Sequence, residues 1–523
     1  MSDFSGLNGM LPRLKGRSYE ALRDGFAWDL PGRLNMAAQV LDHPGEALAI
    51  RDLSAGQDIS FGALRLMAGQ LAAALRSRSV KRGDRVGVLR GQDGWCAAAH
   101  IAIWQLGAIS VPLFKLFRED ALSSRLADSG AGRVISDGEG AGLLAAFDLD
   151  VLVPETETLP PRFGEMADTG PEDPAVLIYT SGTTGSPKGA LHGHRVLTGH
   201  LPGVEISHDF LGQPGDVIWT PADWAWIGGL FDVLMPGLAL GVPVVAARMP
   251  KFTVAACLEI CRKGAVRNVF FPPTALRMLK AAEARIDGLR SVASGGEPLG
   301  AAMLDWGRRA FDLEINEFYG QTECNMIVSS CSSLFPAKPG AIGRPVPGHE
   351  VAVIGADGRE TQEEGDVAVR RGSASMMLSY WQKPQETADK FRGDWMLTGD
   401  RGLWEGPYLR FMGREDDVIT SAGYRIGPAE IEDCLLSHPG VASAGVVSKP
   451  DALRTEIVKA YVVAKDGADI TAGVLQDWVK GRLASYSYPR EISFVEALPM
   501  TVTGKVIRKD LKALAVAEQE NGA

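Results

Sequence analysis

Val176-Leu177-Ile178-Tyr179 runs directly into Thr180-Ser181-Gly182-Thr183-Thr184-Gly185-Ser186-Pro187-Lys188-Gly189. A short apolar, β-branched run that stops at a cluster of Gly, Ser and Thr reads as a strand delivering a loop. Glycines let the backbone come close to a polyanion and aim successive N–H groups at it. The hydroxyls add donors and Lys188 adds a positive charge. This is the composition of a phosphate cradle. It is not GxxxxGK[ST], because Gly189 follows Lys188 where that pattern needs Ser or Thr. The competing reading, a flexible surface turn, does not account for ten residues so biased immediately after an apolar strand.

Around this loop the chain has 523 residues, of which 61 are glycine, and a formal net charge of −10. An acidic balance argues against a general nucleic-acid binder, which needs a basic footprint. Met1 to Lys15 is polar and broken by Pro12, unlike the apolar core of a signal peptide. The longest apolar stretch, Met235 to Ala247, carries Pro236, Gly237 and Pro243 and is too short to span a bilayer. None of the six cysteines forms CxxC, and Cys257 and Cys261 fit the core of a helix better than a metal site. Cytosolic residence is the simplest expectation. Gly138-x-Gly140-x-Gly142 and His192-Gly193-His194 both read as loop.

The rest of the chain predicts an α/β fold. Strand-like Arg85–Leu89 and Ile109–Leu113 alternate with helical Leu64–Leu75 and Ala97–Leu106. The rhythm returns at Val242–Ala246, Thr253–Lys263, Val269–Phe271, Pro273–Ala284, Val292–Ser294 and Ala301–Phe311. Such alternation predicts parallel sheets covered by helices. From about Pro339 to residue 415, short strands such as Glu350–Ile354 and Asp366–Val369 predict a small antiparallel β subdomain within a large N-terminal part, 1–415. After Asp416 the chain restarts as α+β over 417–523, with helices Pro428–Ser437 and Val474–Leu483 and strands Ala442–Val447 and Ile457–Val463.

Further motifs follow the loop in order: Gly295-Gly296-Glu297-Pro298, Tyr319-Gly320-Gln321-Thr322-Glu323, Leu397-Thr398-Gly399-Asp400, Gly413-Arg414-Glu415-Asp416-Asp417, Ser421–Glu430 and Pro499-Met500-Thr501-Val502-Thr503-Gly504-Lys505. With Thr180–Gly189 they resemble the adenylate-forming (AMP-binding) superfamily along nearly the whole chain. The similarity is greatest to medium-chain acyl-CoA synthetases, through Asp400-Arg401-Gly402, Ser421–Pro428, Tyr486-Ser487-Tyr488-Pro489-Arg490 and the Lys505 motif. The resemblance implies an AMP-forming carboxylate–CoA ligase using ATP, Mg2+ and coenzyme A. A carboxylate attacks the α-phosphate of ATP, and a thiol then displaces AMP from the acyl-adenylate. Both steps need charge stabilisation more than proton transfer.

By the same resemblance, Thr180, Ser181, Gly182, Thr183, Thr184, Gly185 and Lys188 hold phosphates. Gly296, Glu297, Pro298, Glu317, Phe318, Tyr319, Gly320 and Gln321 contact the nucleotide, with the Tyr319 ring against adenine. Thr322 reaches the α-phosphate and Glu323 the magnesium. Asp400 and Arg414 face ribose, and Arg425 faces the phosphates or the gap between domains. Lys505 bridges the carboxylate and α-phosphate oxygens. Asp416 is the implied hinge about which the C-terminal lid turns between the two half-reactions.

Ala422, Gly423 and Tyr424 would line the pantetheine tunnel, with Ala422 replacing the Ser usual in the family. Arg454, Tyr486 and Tyr488 would meet the nucleotide end of CoA. Acetate-specific relatives carry Trp where this chain has Gly320, which predicts an opened acyl pocket. Trp224 and Trp226 are its expected aromatic walls, with ordinary core burial as the alternative. The expected acid is medium-chain, branched or aromatic. Loading of a separate carrier protein and a short-chain acid are the alternatives, and an amino-acid substrate is disfavoured although Asp223 and Asp232 lie nearby. The Lys505 motif also resembles one acetylated by lysine acetyltransferases, which would remove the charge adenylation needs. The acid, the pathway and the oligomeric state are not legible.

Overall fold

Alternating apolar strands and capped helices build most of the chain. The computed structural model describes Leu14 and residues 18–521, except 118, 181–186, 415–416, 418, 422–423, 452–454, 484–486 and 502–504, with the side chains of 420, 424, 425, 430, 455 and 519–521 also left aside. Asp93 caps helix Gly94–Gln105 by accepting from the Cys96 N–H, and Ser60 and Thr253 cap Phe61–Ser77 and Val254–Lys263 in the same way. Helix Ala301–Phe311 has the predicted bounds, and the other expected elements of the parallel sheets lie within a few residues of theirs.

Two large sheets dominate the described residues. In the first, Ile315–Gln321, Ser291–Gly295, Asn268–Phe270, Ile218–Trp219, Val244–Ala246 and Leu48–Asp52 run parallel, and Asn325–Ser329 folds back antiparallel on Ile315–Gln321. In the second, Asp150–Leu152, Arg133–Ser136, Arg85–Leu89, Ile109–Pro112 and Pro174–Thr180 are parallel. Lys188–Gly193 then returns antiparallel, and Ser379–Tyr380 adds to its outer side. Helices Gly94–Gln105 and Val196–Ser207 are apolar and buried on all sides, which marks them as sandwiched between layers. They pack in one core with Ile50, Val86, Val176, Val244 and Phe270 from both sheets.

A third, antiparallel sheet is formed by Val351–Ile354, Gly365–Arg370, Trp395–Glu405, Phe391–Arg392 and Tyr408–Arg414. The last sheet, built on the long hairpin Val441–Asp451/Thr455–Ala464, carries helices Pro428–Leu436, Ala472–Lys480 and Arg508–Asn521 and has its own core around Ile419, Ile431, Val446 and Leu475. No helix among the described residues is long and apolar enough to cross a membrane.

Two local expectations are corrected. Gly138-x-Gly140-x-Gly142 lies in a helix, Gly138–Leu144, because Asp137 accepts from the Gly140 N–H and caps it. A Cβ on Gly140 would stand 2.7 Å from the Leu89 carbonyl oxygen, so this glycine serves close packing. His192 is likewise no loop residue: it lies in strand Lys188–Gly193 with its ring fully buried, and buried His194 accepts from the Met36 N–H at 3.1 Å. Burial pushes both imidazoles down to about 3, so they are neutral. No group of three or more metal-ligating side chains occurs among the described residues.

Candidate active site

The site forms where the sheets meet. Thr180 and Lys188 face each other across the antiparallel pair at the base of the Gly-rich loop, and Thr180 Oγ1 donates to the Lys188 carbonyl at 3.4 Å. Residues 181–185 of the expected cradle lie outside the described residues. The carboxyl ends of two neighbouring parallel strands carry Gly296-Glu297-Pro298 and Thr322-Glu323, the place where open α/β sheets bind ligands. Gly296 has φ of +104°, a conformation glycine adopts without strain. Glu297 is ion-paired to Arg277 at 2.7 Å.

Side chains alternate along Ile315–Gln321, and this divides the expected nucleotide contacts. Tyr319 donates its hydroxyl to Asp400 Oδ2 at 2.5 Å, and Gln321 Nε2 donates to the same oxygen at 2.9 Å. Asp400 comes from the third sheet, paired in register with Arg414. Burial raises the Asp400 carboxyl, and the Arg414 guanidinium opposes that shift. Gln321 Oε1 is buried without a hydrogen-bond partner among the described residues, an acceptor that a ligand N–H or O–H would satisfy. Glu317 is buried and its carboxyl is pushed up to about 8, chiefly by desolvation and then by the Asp433 carboxylate.

Phe318, expected with the nucleotide contacts, points the other way. Its ring lies across Gly295, where a Cβ would be 2.5 Å from Phe318 Cε2, and 5.2 Å from the Phe270 ring. It belongs with an apolar wall. Gly320 also departs from expectation. A Cβ there would fall 1.7 Å from the Asn325 carbonyl oxygen, inside a register shift between Tyr319 and Gly320. Gly320 is required by close backbone approach, and the space a side chain would take is filled by the returning strand. The two tryptophans separate as well. Trp224 is 1% exposed within the large core, whereas half-buried Trp226 reaches the site.

Glu323 is held from several directions. Tyr380 donates its hydroxyl to Glu323 Oε1 at 2.5 Å, and the Met377 N–H donates to the Glu323 carbonyl at 2.7 Å. Lys188 Nζ lies 5.4 Å from the centre of the Tyr380 ring. The second Glu323 oxygen has no hydrogen-bond partner among the described residues. A fixed carboxylate with an unengaged oxygen fits Mg2+, which takes one or two carboxylates and otherwise water and substrate phosphates.

Lys505 reaches this site from the last, C-terminal sheet's region of the chain. Its Nζ lies 5.9 Å from the Trp226 ring centre, and its Cε lies 3.6 Å from a Cβ built on Gly296. Burial lowers its pKa, the Glu297 and Asp400 carboxylates counter that, and Arg414 adds to the lowering. A short turn fixes its backbone, with Lys505 N–H donating to Thr501 Oγ1 at 3.0 Å and Thr501 N–H to the Lys505 carbonyl at 2.7 Å. Nearby, the Asp433 carboxylate packs against Gly300, 3.0 Å from a built Cβ.

The expected CoA contacts are not gathered here. Ala422, Gly423, Arg454 and Tyr486, the hinge residue Asp416, and the side chains of Tyr424 and Arg425 lie outside the described residues. Tyr488 is described, with Lys480 and Arg490 cations each 4.3 Å from its ring centre. Tyr380, Arg277 and Asp433 were not foreseen. Tyr380 is 57 residues from Glu323 in sequence, and no spacing rule links them.

Comparison with known proteins agrees with this geometry. The family model "AMP-binding enzyme" matches residues 36–381, and "AMP-binding enzyme C-terminal domain" matches 430–505. The chain is 31% identical to the acetyl-coenzyme A synthetase of Bacillus subtilis (strain 168), over 96% of each chain. It is 31% identical to the mitochondrial acyl-coenzyme A synthetase ACSM2 of Rattus norvegicus, covering 93% of this chain and 92% of that one. Its fold superimposes on the anthranilate CoA ligase AuaEII in complex with anthranoyl-AMP with a TM-score of 0.85 at 26% identity, over 93% of this chain and 98% of that one.

Proposed function

This chain belongs to the AMP-binding enzyme family and is an AMP-forming acid–thiol ligase, and we propose that it activates a medium-chain, branched or aromatic carboxylic acid and transfers it to coenzyme A by domain alternation. The observation that carries the reading is Lys505, brought from the C-terminal region to Gly296 and Trp226 within the field of Glu297 and Asp400. A lysine taken out of water there finds its full charge most useful when phosphate and carboxylate oxygens arrive. This is the arrangement adenylation needs.

In the first half-reaction a carboxylate oxygen attacks the α-phosphorus of ATP and pyrophosphate leaves. Lys505 stabilises the charge shared between the two reacting groups, a preorganised electrostatic contribution. Thr180, Lys188 and the 181–185 loop hold the β- and γ-phosphates, and Thr322 the α-phosphate. Mg2+, when bound, neutralises phosphate charge, and the free oxygen of Glu323 would hold it. Tyr319 offers its ring to adenine. The Asp400 oxygen not engaged by Tyr319 and Gln321 is suited to a ribose hydroxyl, with Arg414 beside it. Trp226, Phe318 and Phe270 supply an apolar side for the acyl group.

In the second half-reaction the CoA thiol attacks the acyl carbon and AMP leaves. The lid, 417–523, must first withdraw Lys505, turning at Asp416. The cations around Tyr488 suit the phosphates of the CoA nucleotide. All six cysteines are buried free thiols, which fits a reducing cytoplasm. A panel of acids with ATP, Mg2+ and CoA, read by AMP release, tests the proposal. Maximal kcat/KM with C4–C8 or aromatic acids and dependence on CoA are expected. A preference for acetate overturns the assigned acid class, and thioester formation only on a carrier protein overturns the acceptor.

A further inference from the structure

Lys505 is surrounded by charge and paired with none of it. The Glu297 carboxylate acts on its ammonium most strongly, then Asp400, with Arg414 opposing both. Yet among the described residues no carboxylate hydrogen-bonds or ion-pairs with it. What lies against it is Gly296, with Lys505 Nζ 3.9 Å from a built Cβ, and the Trp226 ring. Glu297 is the very next residue after Gly296. The contrast with Arg508, three positions beyond Lys505, is direct: Arg508 pairs with Glu432 at 2.6 Å and with Asp417 at 3.6 Å.

Arg277 accounts for the difference. Its Nη2 donates to Glu297 Oε2 at 2.7 Å, and it makes no other ion pair among the described residues. Helix Pro273–Ala281 sets the guanidinium in place. Ala275, Leu276 and Leu279 are buried with Val269 and Val292 of the first sheet, and Lys280 donates to the Ala302 carbonyl at 3.1 Å. The helix is thereby anchored on both sides of the loop that carries Glu297. The two paired side chains keep 30% and 22% of their surface exposed. An ion pair so open to solvent adds little to stability. Its place beside an unpaired lysine is what sets it apart.

Resting on the ligase reading above, we infer that Arg277 is a positioning residue for adenylation: it holds the Glu297 carboxylate and so keeps the Lys505 ammonium unpaired for the carboxylate and phosphate oxygens of the substrates. Arginine suits the task because its planar fork and permanent charge fix a carboxylate in one orientation. Without the guanidinium, Glu297 is drawn to Lys505. That direct pair cancels the charge adenylation uses and fastens the lid to the body. Arg277 thus acts through Glu297 and not on the reacting atoms.

The test reads the ionisation of Lys505 itself. The protein is labelled competitively with acetic anhydride over about pH 7 to 11, a range that brackets the ordinary lysine value, and the Lys505 peptide is quantified by mass spectrometry. Acid-dependent pyrophosphate exchange is measured in parallel. A carboxylate closing to hydrogen-bond range favours the charged form strongly, so Arg277→Met should make the Lys505 ammonium at least about tenfold harder to deprotonate. Exchange should slow by roughly tenfold or more. In a Glu297→Gln background, Arg277→Met should leave the Lys505 titration unmoved, because the carboxylate that would capture the lysine is gone. Loss of exchange in Arg277→Met with the Lys505 titration unmoved would show that Arg277 only packs. A shift that persists in the Glu297→Gln background would remove Glu297 from the link. Either result overturns the inference, as does an Arg277→Met protein unchanged in both readouts. The expected titrations with no acid-dependent exchange in the wild type would instead leave the relation among Arg277, Glu297 and Lys505 standing and overturn the ligase reading.

Discussion

Tyr380 donates its hydroxyl to Glu323 at 2.5 Å, and so ties the short strand beside Lys188 to the carboxylate assigned to magnesium. Tyr380→Phe removes that donor and leaves a buried carboxylate oxygen unpaired, a loss of about 1–3 kcal/mol, or roughly ten- to a hundredfold. We expect a lower rate of acid-dependent pyrophosphate exchange and a higher Mg2+ requirement, with thioester synthesis from supplied acyl-AMP little changed. An unchanged Mg2+ dependence would show that Tyr380 only packs.

Lys505→Ala should abolish acyl-AMP formation, because it removes the ammonium that lies beside Gly296 and the Trp226 ring. Thioester formation from synthetic acyl-AMP should persist. The two half-reactions assayed separately decide this, and surviving pyrophosphate exchange would remove Lys505 from the chemistry.

The proposed hinge, Asp416, lies between Arg414 and Asp417 in sequence. Arg414 ends a strand in register with Asp400, and Asp417 is ion-paired to Lys512 at 3.3 Å and Arg508 at 3.6 Å. On the proposed reading, the lid turns at Asp416 between these two anchors. Asp416→Pro fixes one backbone dihedral there and should spare adenylation while blocking thioester formation. Equal damage to both half-reactions would sink the hinge assignment.

If the lid docks as proposed, burial of Glu317 and repulsion from the Asp433 carboxylate should make docking depend on pH. The buried Glu317 carboxyl titrates near about 8 with the lid in place, raised by burial and by Asp433. Its docked pKa is above the ordinary glutamate value, so the docked state holds the proton more tightly. Its contribution to docking is complete below the ordinary value and is lost as pH rises through about 8. Adenylation should fall over that range. Glu317→Gln, permanently neutral, should flatten this part of the profile and leave only the loss due to deprotonation of Lys505, whose pKa burial also lowers. Pyrophosphate exchange measured against pH in both proteins checks it, and superimposable profiles would exclude Glu317.

Periodicity carried the sheets and helices well, because an element such as Ala301–Phe311 writes its apolar face every three or four residues. It failed at Gly138–Leu144, where a single cap outweighed three glycines of low helix propensity. The residues proposed for the nucleotide were legible as contiguous motifs, two of which lie at strand ends. The rest depends on contacts between distant segments. Phe318 and Tyr319 are adjacent in sequence yet face opposite sides of one strand, and only the register shift at Gly320 shows that a backbone carbonyl, not open space, meets that glycine. Tyr380 meets Glu323 across 57 residues of sequence.

Lys188 and Tyr380 belong to one large sheet, Glu323 ends a strand of the other, and Asp400 belongs to the third. A nucleotide spanning these residues would brace three sheets at once. Filling the site should therefore stiffen the body of the molecule far from the reacting atoms, and hydrolysing or losing the brace should loosen the same frame against which the lid has to turn.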